Sequence, residues 1–159
     1  MAIDKIGWHL EAIPDDIPED KRWEKAGAHI GYFIEWAYKK GFVPTDPEIH
    51  AVDEYQKVIN SEINGLQFLI ENCDTKFWEE DLNEQGQKFA FFAYDAYLDY
   101  VGTTLGYDFY CQQNLQNVSQ YLDEMYSNYL TNPPQEVAQS KQKSLFQKLK
   151  DLLQPEASD

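Results

Sequence analysis

Residues 26–37 read Ala26-Gly27-Ala28-His29-Ile30-Gly31-Tyr32-Phe33-Ile34-Glu35-Trp36-Ala37, and they carry the strongest structural signal in the chain. Apolar side chains recur in this stretch with the spacing of one helical face, which predicts a helix over residues 26–40. Gly41 then follows as a C-terminal stop. Gly27 and Gly31 lie one turn apart on the same face, so we expect a second backbone segment to approach the helix closely there.

The same periodicity continues downstream. A Thr45-Asp46-Pro47-Glu48 capping box predicts the start of a second helix, which Gly65 interrupts before a further turn or two. Longer helices are predicted at about residues 85–103, 112–130 and 135–153. The predicted fold class is therefore all-α, a single-domain irregular bundle of five or six helices.

The remaining segments are short. We expect a brief helix through Phe77 and Trp78, capped by Asp74 or Thr75. No run of residues alternates with period two, so we expect no strand.

The first 24 residues are expected to be irregular. Pro14 and Pro18 punctuate an acidic stretch and disfavour both a helix interior and a central strand. Trp8 and Leu10, with Ile13 and Ile17, are expected to pin this arm onto the core. We therefore divide the chain into a helical domain with an irregular N-terminal arm, residues 1–134, and a C-terminal amphipathic helix with a short tail, residues 135–159.

The charge of the chain excludes some classes of partner. There are 28 acidic residues and 13 basic ones, for a net charge of −15, and Arg22 is the single arginine. Nucleic acid is excluded as a direct partner because phosphate binding needs clustered Lys and Arg, and an anionic membrane surface is disfavoured for the same reason. The 11 Tyr, 9 Phe and 4 Trp argue for a folded core. Two interpretations of the acidity stay open: plain solvation, and a face built for a cationic partner.

The position of the acids favours a localised face. Residues 46–85 contain 11 acidic and 2 basic residues, a net charge of −9. A strong local potential of this kind steers a basic partner. We predict a partner-binding face with Trp78 as its aromatic anchor. The residues of this face are Asp53, Glu54, Glu62, Glu71, Asp74, Trp78, Glu79, Glu80, Asp81 and Glu84.

Catalytic and metal-binding patterns are weak. His50 and Glu54 lie one helical turn apart, but a metal site there would need Glu35 or Glu62 from elsewhere. We therefore predict no metal, no cofactor and no enzymatic activity, since the usual metal, nucleophile and phosphate-loop motifs are missing from the sequence. Adjacent carboxylates are interpreted as a solvated face.

The two cysteines are too few for a disulfide scaffold. Cys73 and Cys111 do not form a C-x-x-C pair, and we expect two reduced, mostly buried thiols.

Several motifs resemble a family of small bacterial domains of unassigned function. The opening Gly7-Trp8-His9, the prolines that follow and residues 26–37 fit its pattern WH…P…AGxHIGxFxxW, and stretches at 88–94, 99–100 and 126–130 are similar to its later parts. The resemblance covers about residues 7–130. It supplies no catalytic residues. We interpret its motif residues as structural, with a pocket lined by His29, Trp8 and Trp36 as the alternative; they are Trp8, His9, His29, Gly31 and Trp36.

The resemblance implies an immunity protein, which would bind and neutralise a cognate antibacterial toxin with a basic surface, such as a nuclease, by acidic and steric occlusion. Two alternatives stay open. One is a metal-binding helical enzyme that uses His9, His29, His50 and nearby carboxylates, and the other is a non-catalytic adaptor. The N-terminus has no apolar run of signal-peptide length and no segment is long enough to span a membrane, so we expect a cytoplasmic protein without a membrane partner.

Overall fold

The structure is a computed structural model that describes residues 1–134 and 145–150. Within residues 1–134 the chain is mostly helical and contains one small two-stranded sheet. The α-helices are α1 Glu19–Lys39, α2 Val52–Ile59, α3 Gly65–Asn72, α4 Glu84–Tyr100 and α5 Gln112–Thr131. The strands are β1 Ala2–Lys5 and β2 Lys76–Trp78. The 3₁₀ segments are Ile6–Ala12 and Glu79–Asp81, and a π-helical turn, Val101–Leu105, extends α4.

Helix α1 is the central element. It contacts α2, α3, α5, β1 and the first 3₁₀ segment, and every residue from Ala26 to Tyr38 is buried. The helix predicted over residues 26–40 is confirmed, but it begins earlier, at Glu19. Pro18 stands at the N-cap, with Glu19 and Asp20 in the first turn. Proline is tolerated there because its missing N–H would have no partner in any case, and the acids suit the helix dipole.

Close backbone approach at the glycines of α1 is also confirmed. A Cβ atom at Gly31 would lie 2.5 Å from the backbone nitrogen of Leu66, at the start of α3. A Cβ at Gly27 would lie 2.6 Å from the side chain of Ile6. These two glycines therefore let α3 and the N-terminal segment pack directly against the central helix.

The sheet corrects two predictions. β1 pairs with β2 in antiparallel register, with Asp4 opposite Phe77, so the N-terminal arm is not irregular over residues 2–12 and no helix passes through Phe77 and Trp78. Residues 13–18, with Pro14 and Pro18, contain neither helix nor strand, as predicted. Asp74 and Thr75 have positive φ angles of 49° and 62°, so they turn the chain into β2 and do not cap a helix. Strands of three and four residues are too short to show an alternating pattern.

The predicted start of the second helix is wrong. Helix α2 begins at Val52, and the backbone N–H of Glu48 donates to Oδ1 of Asp46 at 2.9 Å. This local Asx-type bond gives the backbone an alternative to helix. The predicted break at Gly65 is confirmed, because α3 starts there with a capping box between Asn64 and Gln67.

The two longer helices predicted after residue 84 correspond to α4, with its π-helical turn, and to α5. The predicted helix over residues 135–153, and with it the proposed C-terminal division, lies mostly outside the described residues. Residues 145–150 are helical, and the Phe146 ring centre lies 6.1 Å from that of Phe91 on α4. In the described part of the chain, no helix has both the length and the apolar character needed to cross a bilayer.

Candidate functional site

Two exposed tryptophans stand beside the sheet, with a lysine between them. The Lys5 ammonium lies 5.2 Å from the ring centre of Trp8 and 5.4 Å from that of Trp78. Trp8 is 60% exposed and Trp78 is 38% exposed. Trp8 therefore does not pin the arm onto the core as predicted. Ile13 is buried, Leu10 and Ile17 pack against the core, and the fully buried Ile6, two residues before Trp8, also holds the arm. We call Lys5, Trp8 and Trp78 the tryptophan patch.

Two predicted acids adjoin this patch. Glu79 and Glu80 follow Trp78 directly, and their side chains are 40% and 55% exposed. The backbone N–H of Glu79 donates to the carbonyl of Met1 at 3.0 Å, which continues the pairing of the two strands beyond Trp78. The acids are thus fixed next to the two indole rings by the backbone of the sheet.

The other predicted acids lie on neighbouring elements. Helix α2 contacts α3, and α3 contacts β2, so the segments that carry these side chains are adjacent. Asp74 pairs with Lys76 at 3.4 Å, and Glu84 pairs with Lys88 at 2.9 Å. Except for the intermediate Glu54 the side chains are exposed; they belong to Asp53, Glu54, Glu62, Glu71, Asp74 and Glu84.

Asp81 does not belong to this surface, which corrects the prediction. It is 3% exposed. Its Oδ1 accepts a hydrogen bond from Nε2 of His50 at 2.7 Å, and its Oδ2 accepts from the backbone N–H of Trp78, also at 2.7 Å. Asp81 therefore holds the chain turn beneath the tryptophan patch and cannot meet a partner itself.

His50 joins a buried cluster with Cys73 and Asp81. The Cys73 sulfur lies 3.7 Å from Nε2 of His50, the same nitrogen that Asp81 accepts from. Nδ1 of His50 lies 3.5 Å from Oε2 of Glu54, so the expected proximity of these two residues is present. Burial, with the charges of Asp81 and Glu54, raises the pKa of the Cys73 thiol. A thiol held in its protonated form is a poor nucleophile.

Glu35 forms hydrogen bonds away from His50. Its Oε2 accepts hydrogen bonds from the backbone N–H of Gly65, at 3.0 Å, and from the hydroxyl of Tyr110. Its Oε1 accepts from Lys39 at 2.8 Å. This buried carboxylate ties α1 to α3 and to the segment before α5, and neither it nor the exposed Glu62 completes a site with His50.

A second cluster forms around Asp4. Oδ1 accepts from Nε2 of His9 at 2.6 Å, and Oδ2 accepts from Nε2 of His29 at 3.2 Å and from the Tyr94 hydroxyl at 2.8 Å. Tyr107 lies 2.9 Å from Nδ1 of His9. Asp4 and His29 are 1% exposed, whereas the side chain of His9 is 12% exposed.

This arrangement replaces the pocket predicted for His29. Trp8 points outward, and Nε1 of Trp36 donates to Asp123 on α5 at 2.9 Å. The ring of His29 instead packs edge-on against His9, with 4.4 Å between ring centres. The motif histidines, two of the three in the chain, are therefore brought together. Sequence reasoning missed Asp4, which in the sequence is one acid among many.

Opposing effects set the charge of the Asp4 cluster. Burial alone would raise the pKa of Asp4, but hydrogen bonds from His29 and His9 and their charges hold it well below its ordinary value. Burial lowers the pKa of His29, although Asp4 acts in the opposite direction. Asp4 is thus held as a carboxylate, and burial disfavours the charged form of His29 beside it.

The comparisons with known proteins identify the family. Residues 2–144 match a family model described as a domain of unknown function (DUF7832). The chain belongs to this family. The expected membership of a family without an assigned function is therefore confirmed. The DUF7832 match includes the tryptophan patch and both histidine clusters. No curated protein and no solved structure matches the chain.

Proposed function

We propose that this DUF7832 protein is an immunity protein, which neutralises a cognate antibacterial toxin by occupying a basic surface of that toxin. The observation that carries the proposal is the tryptophan patch, where Trp8 and Trp78 are exposed beside Glu79 and Glu80. The patch joins an aromatic contact surface to the carboxylates of Glu79 and Glu80, which lie 3.9 and 3.7 Å from the Met1 α-ammonium, within the segment 46–85 of net charge −9.

The indole rings fit the role of interface anchors. Tryptophan is enriched among the residues that contribute most to protein–protein binding, and a large exposed aromatic surface is costly unless a partner covers it. Both rings are positioned before binding. Trp78 is held by the ladder of the sheet, and Lys5 packs over both rings. A preordered anchor loses little conformational entropy when the complex forms.

The acids fit the role of steering groups. A protein that acts on nucleic acid carries a basic cleft, and carboxylates are able to occupy such a cleft in place of phosphates. The acids on α2 and α3 extend the negative potential away from the patch, because α2 contacts α3 and α3 contacts β2, the strand that ends at Trp78. Attraction of this kind raises the association rate and weakens as salt rises.

The experiment begins with the toxin. The full chain is used as bait in its native cells, and the reading frame beside its gene supplies the candidate toxin. Co-expression of that toxin should arrest growth, and this protein should restore it. An adaptor would bind its partner without restoring growth, so this outcome separates the two interpretations.

The binding face is then tested with matched variants. Glu79→Lys with Glu80→Lys should slow association several-fold at low salt, and Trp8→Ala should weaken binding by about 30-fold, the equivalent of roughly 2 kcal/mol for an interface anchor. The control is Asp99→Lys with Glu124→Lys, which makes the same charge change at exposed positions of α4 and α5. If both double variants slow association equally, net charge alone acts and the proposed face is wrong.

A further inference from the structure

We propose that Asp4, His9 and His29 form a binding site for a divalent transition-metal ion. Three donor atoms, one from each residue, lie within 4.8 Å of one another: a carboxylate oxygen and two imidazole nitrogens. The three residues come from β1, the 3₁₀ segment Ile6–Ala12 and α1, so an ion bound here would connect three elements. The proposal is independent of toxin binding.

The spacing of the donor atoms suits such an ion. Two ligands that are each about 2.1 Å from a tetrahedral Zn²⁺ ion are about 3.4 Å apart. Oδ2 of Asp4 lies 3.2 Å from Nε2 of His29, and Oδ1 lies 2.6 Å from Nε2 of His9, so the two imidazoles approach different oxygens of one carboxylate. The imidazole of His9, which is partly exposed, has to move away from Oδ1 of Asp4 for an ion to enter between them. Two imidazoles and one carboxylate are a donor set that first-row divalent ions accept.

The buried Nδ1 atom of His29 gives independent support for a metal site. When Nε2 of His29 donates to Asp4, Nδ1 is left as a buried acceptor, and it has no hydrogen-bond partner. The carbonyl of Ala26, one turn earlier, accepts a hydrogen bond from this imidazole only when Nδ1 carries a proton, and that bond raises the pKa of His29. Metal ligation at Nε2 moves the ring proton to Nδ1, which turns this atom into a donor facing an acceptor.

The neighbouring hydroxyl groups are compatible with the same movement of the ring proton from Nε2 to Nδ1. Tyr107 lies 2.9 Å from Nδ1 of His9, and a hydroxyl both donates and accepts. The Tyr107 hydroxyl is therefore able to accept a hydrogen bond from the Nδ1–H of a metal-bound His9. Tyr94 and the backbone N–H of Lys5 donate to Asp4 at 2.8 Å each, and they would keep the carboxylate oriented while it ligates.

The cluster of His50, Cys73 and Asp81 is the natural control. Its ligand atoms also lie within 4.8 Å of one another, but all three residues are buried. Nε2 of His50 and both carboxylate oxygens of Asp81 have hydrogen-bond partners, and Nδ1 of His50 lies 3.5 Å from Oε2 of Glu54. The raised pKa of the Cys73 thiol opposes its deprotonation by a metal.

The test uses Zn²⁺ with the purified full chain. Titration against a chromophoric chelator should show one strong site. His9→Gln should remove that site, and Tyr107→Phe should weaken it by about 10- to 100-fold, as loss of a partner of a ligating histidine does. His50→Gln should leave the affinity unchanged. Circular dichroism and a melting curve establish that each variant is folded, and if His9→Gln is not, Tyr107→Phe carries the test.

Nitrogen NMR of the three histidine rings supplies a second readout. Without metal, His9 and His29 should carry their ring proton on Nε2, where Asp4 accepts it. One equivalent of Zn²⁺ should move both protons to Nδ1 and leave His50 unchanged. The proposal is overturned if Zn²⁺ does not bind, if binding leaves both tautomers unchanged because the acidic surface holds the ion, or if His50→Gln abolishes binding.

Discussion

Gly31 and Gly65 meet backbone to backbone where the third α-helix begins. A Cβ atom on Gly65 would clash with the carbonyl oxygen of Gly31, and a Cβ on Gly31 would lie 2.5 Å from the backbone nitrogen and 2.7 Å from the Cα of Leu66. The obstacles are backbone atoms, so no rotation of a side chain would relieve the overlap. The distance between the central helix α1 and α3 is thus set by two residues that have no side chain.

Substitution at this crossing should be costly. Gly31→Ala should lower the free energy of unfolding by about 3 kcal/mol, the upper part of the range for overpacking, because α3 must move away from α1. Chemical denaturation monitored by circular dichroism measures the change. Gly102→Ala is the control, since nothing lies within 4 Å of its added Cβ. Equal effects of the two substitutions would contradict the close approach.

This crossing also shows what the sequence allows one to predict. The spacing of Gly27 and Gly31 on a helix predicts that some backbone approaches there, because helical periodicity is a local property. The identity of the partner, Gly65, is a matter of tertiary structure. The two strands could not be predicted for a related reason, because the pairing of Ala2 with Trp78 joins distant parts of the chain.

The candidate sites also combine features that have a local sequence signal with features that depend on tertiary structure. The exposure of Trp78 and its neighbouring acids could be predicted from composition, because charged runs stay solvated. The exposure of Trp8 could not, since it depends on a 3₁₀ segment that turns Ile6 inward instead. The burial of Asp81 depends on His50, and the cluster around Asp4 depends on Tyr94, which is 90 residues away. Neither pairing has a local signature.

Glu35 should behave as a structural anchor. Glu35→Gln replaces a charged acceptor of the Gly65 N–H, the Tyr110 hydroxyl and the Lys39 ammonium, so we expect a loss of about 1–3 kcal/mol in the free energy of unfolding. Glu62→Gln is the matched control at an exposed position and should change stability by less than about 0.5 kcal/mol. Urea denaturation compares the two. A smaller loss in Glu35→Gln than in the control would show that the buried contacts do not stabilise the fold.

The two cysteines should differ in reactivity. Cys73 is 7% exposed and burial raises its pKa, whereas Cys111 is exposed at the N-cap of α5. This exposure corrects the expectation that both thiols are buried. A chromogenic disulfide reagent should label one thiol quickly in the native protein and two in denaturant. In Cys111→Ser, the fast reaction should disappear. Rapid labelling of that variant would mean that the region around Cys73 opens readily.

Alkaline pH should unfold the protein through its buried tyrosines. Burial raises the pKa of Tyr32 to about 12, and it raises the pKa of Tyr38, Tyr94 and Tyr97 well above the ordinary value of 10. Below pH 10 these phenols are neutral in both the folded and the unfolded states. Above pH 10 only the unfolded chain loses their protons, so its free energy falls and the stability of the fold decreases as pH rises. For Tyr32 alone, the loss between pH 10 and pH 12 is on the order of 2 kcal/mol.

The absorbance of tyrosinate near 295 nm measures this directly. We expect one group of tyrosines to titrate gradually and the buried group to ionise in a cooperative step that coincides with the loss of helical circular dichroism. After correction for any change in stability at pH 7, the alkaline unfolding midpoint of Tyr32→Phe should lie at higher pH than that of the unchanged protein. The substitution removes one of the groups whose ionisation drives unfolding. Gradual ionisation of all 11 tyrosines while the helices persist would show that the four phenols are accessible in the folded protein. The same result would contradict the packing of Tyr94 and Tyr97 between α1 and α4, in which Tyr94 donates to Asp4 and Tyr97 donates to the carbonyl of His29.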